Sequence, residues 1–146
     1  MSDTADASRL RVYPEARSGG GCHDDPVATT LLIVDDHAGF RRFARALMEA
    51  EGFDVVGEAE DGPSAMAEAA RLDPDVVLLD VLIPGLDGFE VCDRLTALTK
   101  RPAVILTSTR DASSYAERLA RSPARGFVPK HALSAATVSS LIEAES

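Results

Sequence analysis

Basic residues are scarce in this chain of 146 residues: 15 lysines and arginines stand against 24 aspartates and glutamates, giving a formal net charge of -9. That balance argues against a sequence-independent nucleic-acid surface or an anionic membrane face, both of which are bound through excess Lys and Arg. Cysteine is limited to Cys22 and Cys92, with no CxxC or Cys/His spacing, so neither a zinc site nor a disulfide framework is indicated. No apolar run approaches the length of a membrane span. The first thirty residues also lack the charged, apolar, small order of a signal peptide. These absences predict an acidic, soluble, cytoplasmic protein with no membrane and no direct nucleic-acid partner. A composition of 45% hydrophobic and 27% charged residues is that of an ordinary globular domain, and the length suits one core.

Residues 1–28 carry no sustained periodicity and include Gly19-Gly20-Gly21 and two prolines, which predicts a flexible tail before a folded domain over 29–146. Cys22 and His23 in that tail read as solvated residues rather than metal ligands. From Thr29 onward, short apolar runs alternate with helical periodicity. Leu31 to Val34, Val55 to Ala59, Val76 to Leu79, Ala103 to Leu106 and Gly126 to Val128 have the length and continuous apolarity of buried parallel strands. Between them, Phe40, Phe43, Ala44 and Leu47 recur at i, i+3, i+4, i+7. Ala65, Ala69 and Leu72 follow the turn-and-cap signal Asp61-Gly62-Pro63. Three further helical faces are marked by Phe89, Cys92 and Leu95, by Tyr115 and Leu119, and by Val138, Leu141 and Ile142. The pattern is an α/β fold, (βα)5, a doubly wound parallel five-stranded sheet of flavodoxin-like order 2-1-3-4-5. Its ligand chemistry belongs at the strand carboxyl ends beside the switch point between the first and third strands.

The polar residues fall there. Strand one runs into Asp35-Asp36, strand three into Asp80, strand four into Thr107, and strand five is followed by Lys130. Taken singly, Asp36 reads as a cap for a helix beginning near Ala38, Thr107 as a β-former and Lys130 as a surface charge. Asp80 has no such explanation, because VVLLDVLIPG is apolar on both sides, and a carboxylate in that setting is neutral, paired or reactive. Three carboxylates meeting at a switch point repel one another unless a cation offsets them, and oxygen ligands of this kind suit Mg²⁺.

From about Thr29 to Ser146 the chain resembles the receiver domain of bacterial two-component response regulators. The resemblance rests on the acidic pair after strand one, the DVLIPGLDG segment with Asp80, Pro84 and Gly88, the ILTS strand end and GFVPK. Within the family, the DDH at Asp35 to His37 and the VVGEAEDG at Val55 to Gly62 lean toward receivers usually joined to LuxR-type helix-turn-helix domains. The sequence leaves no room for such a domain before it stops at Ser146, so a stand-alone receiver is expected.

The resemblance implies that Asp80 is the phosphoacceptor. It implies that Asp36, Asp80 and the backbone carbonyl of Leu82 bind Mg²⁺ directly, while Asp35 acts mainly through a coordinated water. Thr107 would hydrogen-bond a phosphoryl oxygen and Lys130 would pair with another, and Thr107 with Phe127 would form the switch. Implied partners are a sensor histidine kinase or histidine phosphotransfer protein and a downstream protein target, with a homodimer allowed; no enzyme activity is expected beyond self-catalysed phosphorylation and dephosphorylation. Ser108 is small enough to leave a donor room. Leu82 stands where many relatives carry a polar residue, Thr109 occupies the other position lining the water path in this family, Phe127 has no hydroxyl, and Pro129 precedes Lys130 unusually. Arg41, Arg42 and Arg45 read either as a kinase contact or as a solvated helix face. Two rivals are a phosphorylation-independent interaction scaffold and an aspartate-nucleophile phosphatase. The phosphatase would need a second acid two residues beyond its nucleophile, where the chain has Leu82 or His37. A dinucleotide-binding module would need more than the single glycine of DDHAGF.

Overall fold

A computed structural model describes residues 28–143; the tail expected over 1–28 lies outside the described residues except for Ala28, which is exposed. Five strands, β1 Thr30–Val34, β2 Asp54–Ala59, β3 Val76–Asp80, β4 Ala103–Ser108 and β5 Gly126–Pro129, form one sheet in the order β2-β1-β3-β4-β5, and all pairings are parallel. Helices α1 Ala38–Ala50, α2 Gly62–Leu72, α3 Gly88–Thr96, α4 Ala116–Arg121 and α5 Ala135–Glu143 connect or follow them. This is the expected doubly wound order.

The alternation of strand side chains explains why helices cover both faces. Leu32, Val34, Val77, Leu79, Val104 and Leu106 point to one face and pack with Ala65 and Ala69 of α2 and with Phe89, Cys92 and Leu95 of α3. Leu31, Ile33, Val76, Leu78 and Ile105 point to the other and pack with Ala44 and Met48 of α1 and Val138 of α5. Both faces of the central strands are therefore apolar, which is what makes their sequences read as continuous hydrophobic runs. Cys92, a free thiol, is part of this core, and burial pushes its pKa to about 11. Among the described residues, no helix is long and apolar enough to cross a membrane.

Two helical faces differ from expectation. In α1 the inward stripe is Ala44 and Met48, flanked by Phe40 and Leu47, whereas Phe43 is 53% exposed. Spacing of i, i+3, i+4 fits two overlapping stripes on this helix; Met48 takes the core position, and the Phe43 ring stays at the surface, 6.1 Å, centroid to centroid, from Phe40. Ahead of α4, Ala112–Tyr115 forms a separate 3₁₀ turn, so Tyr115 and Leu119 do not share one regular helix, although both pack against the α2/α3 side of the core. The cap at Asp61 is as expected: its carboxylate accepts the Ser64 amide at 2.8 Å and the Ser64 hydroxyl accepts the Asp61 amide, closing a capping box at the start of α2.

Candidate functional site

Parallel register brings the polar residues to one edge. Asp80 is the last residue of β3 and stands opposite Thr107 of β4, which is in turn opposite Val128 of β5; Lys130 follows two residues later in a 3₁₀ turn, Lys130–Ala132. Asp35 leaves β1 with its amide bonded to the Ala59 carbonyl at 3.0 Å, which continues the β1–β2 pairing and keeps its side chain fully buried. Gly88 closes the loop after β3. Its amide donates to the Val81 carbonyl at 2.9 Å, and a Cβ there would lie 2.6 Å from the Asp80 carbonyl oxygen and the Val81 Cα. Only glycine allows the start of α3 to approach the end of β3 so closely.

The charges are arranged around one ammonium. Lys130 Nζ lies 3.1 Å from Asp80 Oδ2, as a hydrogen bond, and 2.5 Å from Asp35 Oδ2. The second contact is an ion pair, so one ammonium holds both buried carboxylates. Asp80 Oδ1 accepts the Leu82 amide at 3.0 Å. Burial pushes the Asp80 carboxyl above its ordinary value; the Leu82 amide and Lys130 pull it back, and Asp35 adds to the rise. Burial acts to lower the Lys130 pKa, but its pairing with Asp35 and Asp80 more than offsets this and holds the ammonium above its ordinary value. One oxygen or nitrogen each from Asp35, Asp36, His37 and Asp80 lie within 4.8 Å of one another. Three carboxylates this close, two of them buried, are a donor set that fits a hard divalent cation.

Asp36 is not the helix cap. His37 takes the N-cap position of α1 without a side-chain cap bond, and it is Asp35 Oδ1 that accepts the His37 amide, at 2.8 Å. The exposed Asp36 carboxylate is left facing the cluster. Arg41 and Arg45 are not a free solvated face either: both bind Glu58 of β2, at 2.9 and 2.8 Å, and Arg41 also donates to the Asp35 carbonyl at 2.6 Å. The Arg45 and Arg41 guanidiniums hold the Glu58 carboxyl below its ordinary value, with Arg45 the stronger cause. Arg42 is exposed.

A family model described as the response regulator receiver domain matches residues 31–142. The chain belongs to the response regulator receiver family. The receiver is 43% identical over 101 residues to BvgA, a positive transcription regulator of virulence factors in Bordetella pertussis, covering 69% of this chain and 48% of that protein. It is 38% identical over 85 residues to the transcriptional regulatory protein ResD of Bacillus subtilis, covering 58% of this chain and 35% of ResD. The chain thus spans about half the length, or less, of these curated relatives. Among solved structures, the signal receiver domain of NarL from Mycobacterium tuberculosis superposes with a TM-score of 0.72 at 31% identity, covering 82% of this chain and 97% of that one. A complex of CheX and CheY with BeF3 and Mg²⁺ from Borrelia burgdorferi contains a similar chain, with a TM-score of 0.70 at 25% identity, covering 84% of this chain and 92% of that one.

In this receiver, Asp35, Asp36, Asp80 and Lys130 are together, and Thr107 is buried at the adjoining strand end. Leu82 is 58% exposed, its side chain in solvent at the mouth of the site. Phe127 is half-buried and lies 5.9 Å, centroid to centroid, from Tyr115, which is 5.9 Å from Phe89. Sequence reasoning assigned Tyr115 only to a helix face. Its hydroxyl is 3.0 Å from the Ser108 Oγ, one residue from Thr107, so the hydroxyl at this strand end comes from Tyr115, whose ring packs on Phe127. Ser108 is buried and also accepts the Arg110 amide at 3.1 Å. Two tyrosines among the 146 residues could have drawn attention to Tyr115, but nothing local in the sequence pairs it with Ser108.

Proposed function

We propose that this receiver accepts one phosphoryl group on Asp80 from the phosphohistidine of a sensor kinase or phosphotransfer protein, in a reaction that requires Mg²⁺. The observation that carries the proposal is a carboxylate held at the end of a fully buried strand, raised by burial, and met by Lys130 and two further acids. Asp35, Asp36, Asp80 and the Leu82 carbonyl would hold the cation. When bound, Mg²⁺ offsets negative charge on the transferring group. An Asp80 oxygen forms the new P–O bond as the donor's P–N bond breaks, and the imidazole leaves with the electron pair. The Leu82 amide and the Lys130 ammonium orient the carboxylate beforehand, so little reorganisation is needed. Lys130 pairs with one phosphoryl oxygen and the Thr107 hydroxyl donates to another. Movement of Thr107 and Phe127 then changes the surface that a downstream protein, or a second receiver, recognises. The reaction belongs to the cytoplasm, where such donors are made. It involves no direct contact with nucleic acid.

The test is intact mass after incubation with acetyl phosphate. One phosphoryl group should be gained with Mg²⁺ and none in excess chelator or in Asp80→Ala. Absence of any gain in wild type returns the chain to an interaction scaffold.

A further inference from the structure

The Lys130 ammonium has a third neighbour besides its two carboxylates. Its Nζ stands over the Phe40 ring, 4.6 Å from the centroid. An aromatic face carries negative charge density and attracts a cation, the more strongly where water is excluded, and the Lys130 side chain is only 12% exposed. Phe40 is itself fixed. It lies in the first turn of α1, half-buried, and packs on the core formed by Ala44, Met48 and Val138. The next residue, Arg41, donates to the Asp35 carbonyl at 2.6 Å and to Glu58 at 2.9 Å, which ties that turn to the end of β1 and to β2. The ring thus belongs to the same rigid unit as Asp35, whereas Lys130 follows β5 in a short 3₁₀ turn and reaches the acids on a flexible four-carbon stem.

We propose that Phe40 is a positioning residue for phosphoryl transfer, holding the Lys130 ammonium in the site by its ring face while the anionic partners of that ammonium change. The inference rests on the reading of Asp80 as the phosphoacceptor. During transfer Lys130 leaves its acids for a phosphoryl oxygen, and each of those partners is gained or lost with the step. The ring bears no formal charge and stays beside the ammonium throughout. Leucine at position 40 would supply bulk without the electrostatic face, and the ammonium would be free to turn toward solvent.

The experiment uses the full chain with Mg²⁺ and follows phosphorylation by intact mass over a range of acetyl phosphate concentrations. Phe40→Leu should lower the saturating rate about tenfold, and Phe40→Tyr, which keeps a ring face, should restore most of it. Mono-, di- and trifluorinated phenylalanine at position 40 keep the ring's shape and progressively weaken its negative face, so the rate should fall at each step. Phe43→Leu, which alters an exposed ring on the same helix, should stay within about twofold of wild type. Independently of turnover, the Phe40 ring current should hold the Lys130 ε-methylene proton resonances upfield in wild type and Phe40→Tyr, and release them in Phe40→Leu. A rate indifferent to fluorination overturns the proposal. So does an equal loss in Phe43→Leu, which would place the effect in the packing of α1, and so do ordinary ε-methylene shifts in wild type. Wild type that gains no phosphoryl group refutes the Asp80 reading, and this proposal with it.

Discussion

Replacing Lys130 with methionine keeps most of the stem and removes the ammonium, whose Nζ lies 4.6 Å from the Phe40 ring centroid. The two carboxylates it joins are nearly inaccessible, with side-chain exposures of 0% for Asp35 and 5% for Asp80, and Lys130 itself is 12% exposed. Two like charges at the outer limit of the cluster, 4.8 Å, repel by about 3.5 kcal/mol at an effective dielectric near 20. Breaking a buried pair by deleting one partner costs about 3–5 kcal/mol. Lys130→Met should therefore lose about 3 kcal/mol at pH 7 in chelator, measured by urea unfolding. The loss depends on pH. Asp80 already has a raised folded pKa, so its folded form binds protons more tightly than the unfolded chain, and the cost grows as pH rises through the ordinary value of 3.8 and then the folded one. Without Lys130 the folded pKa rises further, so the deficit of the variant should shrink to about 1 kcal/mol at pH 4, where protonation relieves the repulsion. Mg²⁺ should return part of the loss at pH 7. A deficit below about 1 kcal/mol at pH 7, or one equal at both pH values, would show that Lys130 is not what lets these acids coexist.

Three further outcomes follow from the same geometry. Gly88→Ala must place a methyl group 2.6 Å from the Asp80 carbonyl oxygen and should cost about 2–3 kcal/mol in urea unfolding, with weakened phosphorylation. Asp36→Asn should leave stability in chelator within about 0.5 kcal/mol of wild type or slightly above it, because Asp36 caps nothing, while calorimetry shows Mg²⁺ affinity lowered about tenfold. Tyr115→Phe keeps both ring contacts and loses the hydroxyl at Ser108; it should cost about 1 kcal/mol and alter how far Mg²⁺ and BeF3 perturb the amide resonances of α4.

Strand order and the convergence of Asp35, Asp80, Thr107 and Lys130 were legible because a parallel sheet with both faces covered writes each strand as an uninterrupted apolar run, and the residue ending that run must lie at one edge. The exchange of Phe43 for Met48 was not legible: two helical stripes satisfied the same periodicity, and only the space beneath α1 chooses between them. Tyr115 and Ser108 meet because a 3₁₀ turn interrupts the expected helix, and seven residues of spacing do not reveal that. The engagement of Arg41 and Arg45 by Glu58 depends on α1 crossing β2, a tertiary relation absent from either segment alone. His37 was noted within DDH only as part of a motif, since its contact with two carboxylates arises from the turn that Asp35 imposes.

Asp80 is the residue expected to take the phosphoryl group. Reduction of the acetyl phosphate-treated, Mg²⁺-loaded protein with borohydride converts an aspartyl phosphate to homoserine, and peptide mass spectrometry then locates it. A single converted site is expected, residue 80, and it should disappear in chelator. Conversion at residue 35 or 36, or a site at residue 80 that forms equally without divalent cation, would contradict it.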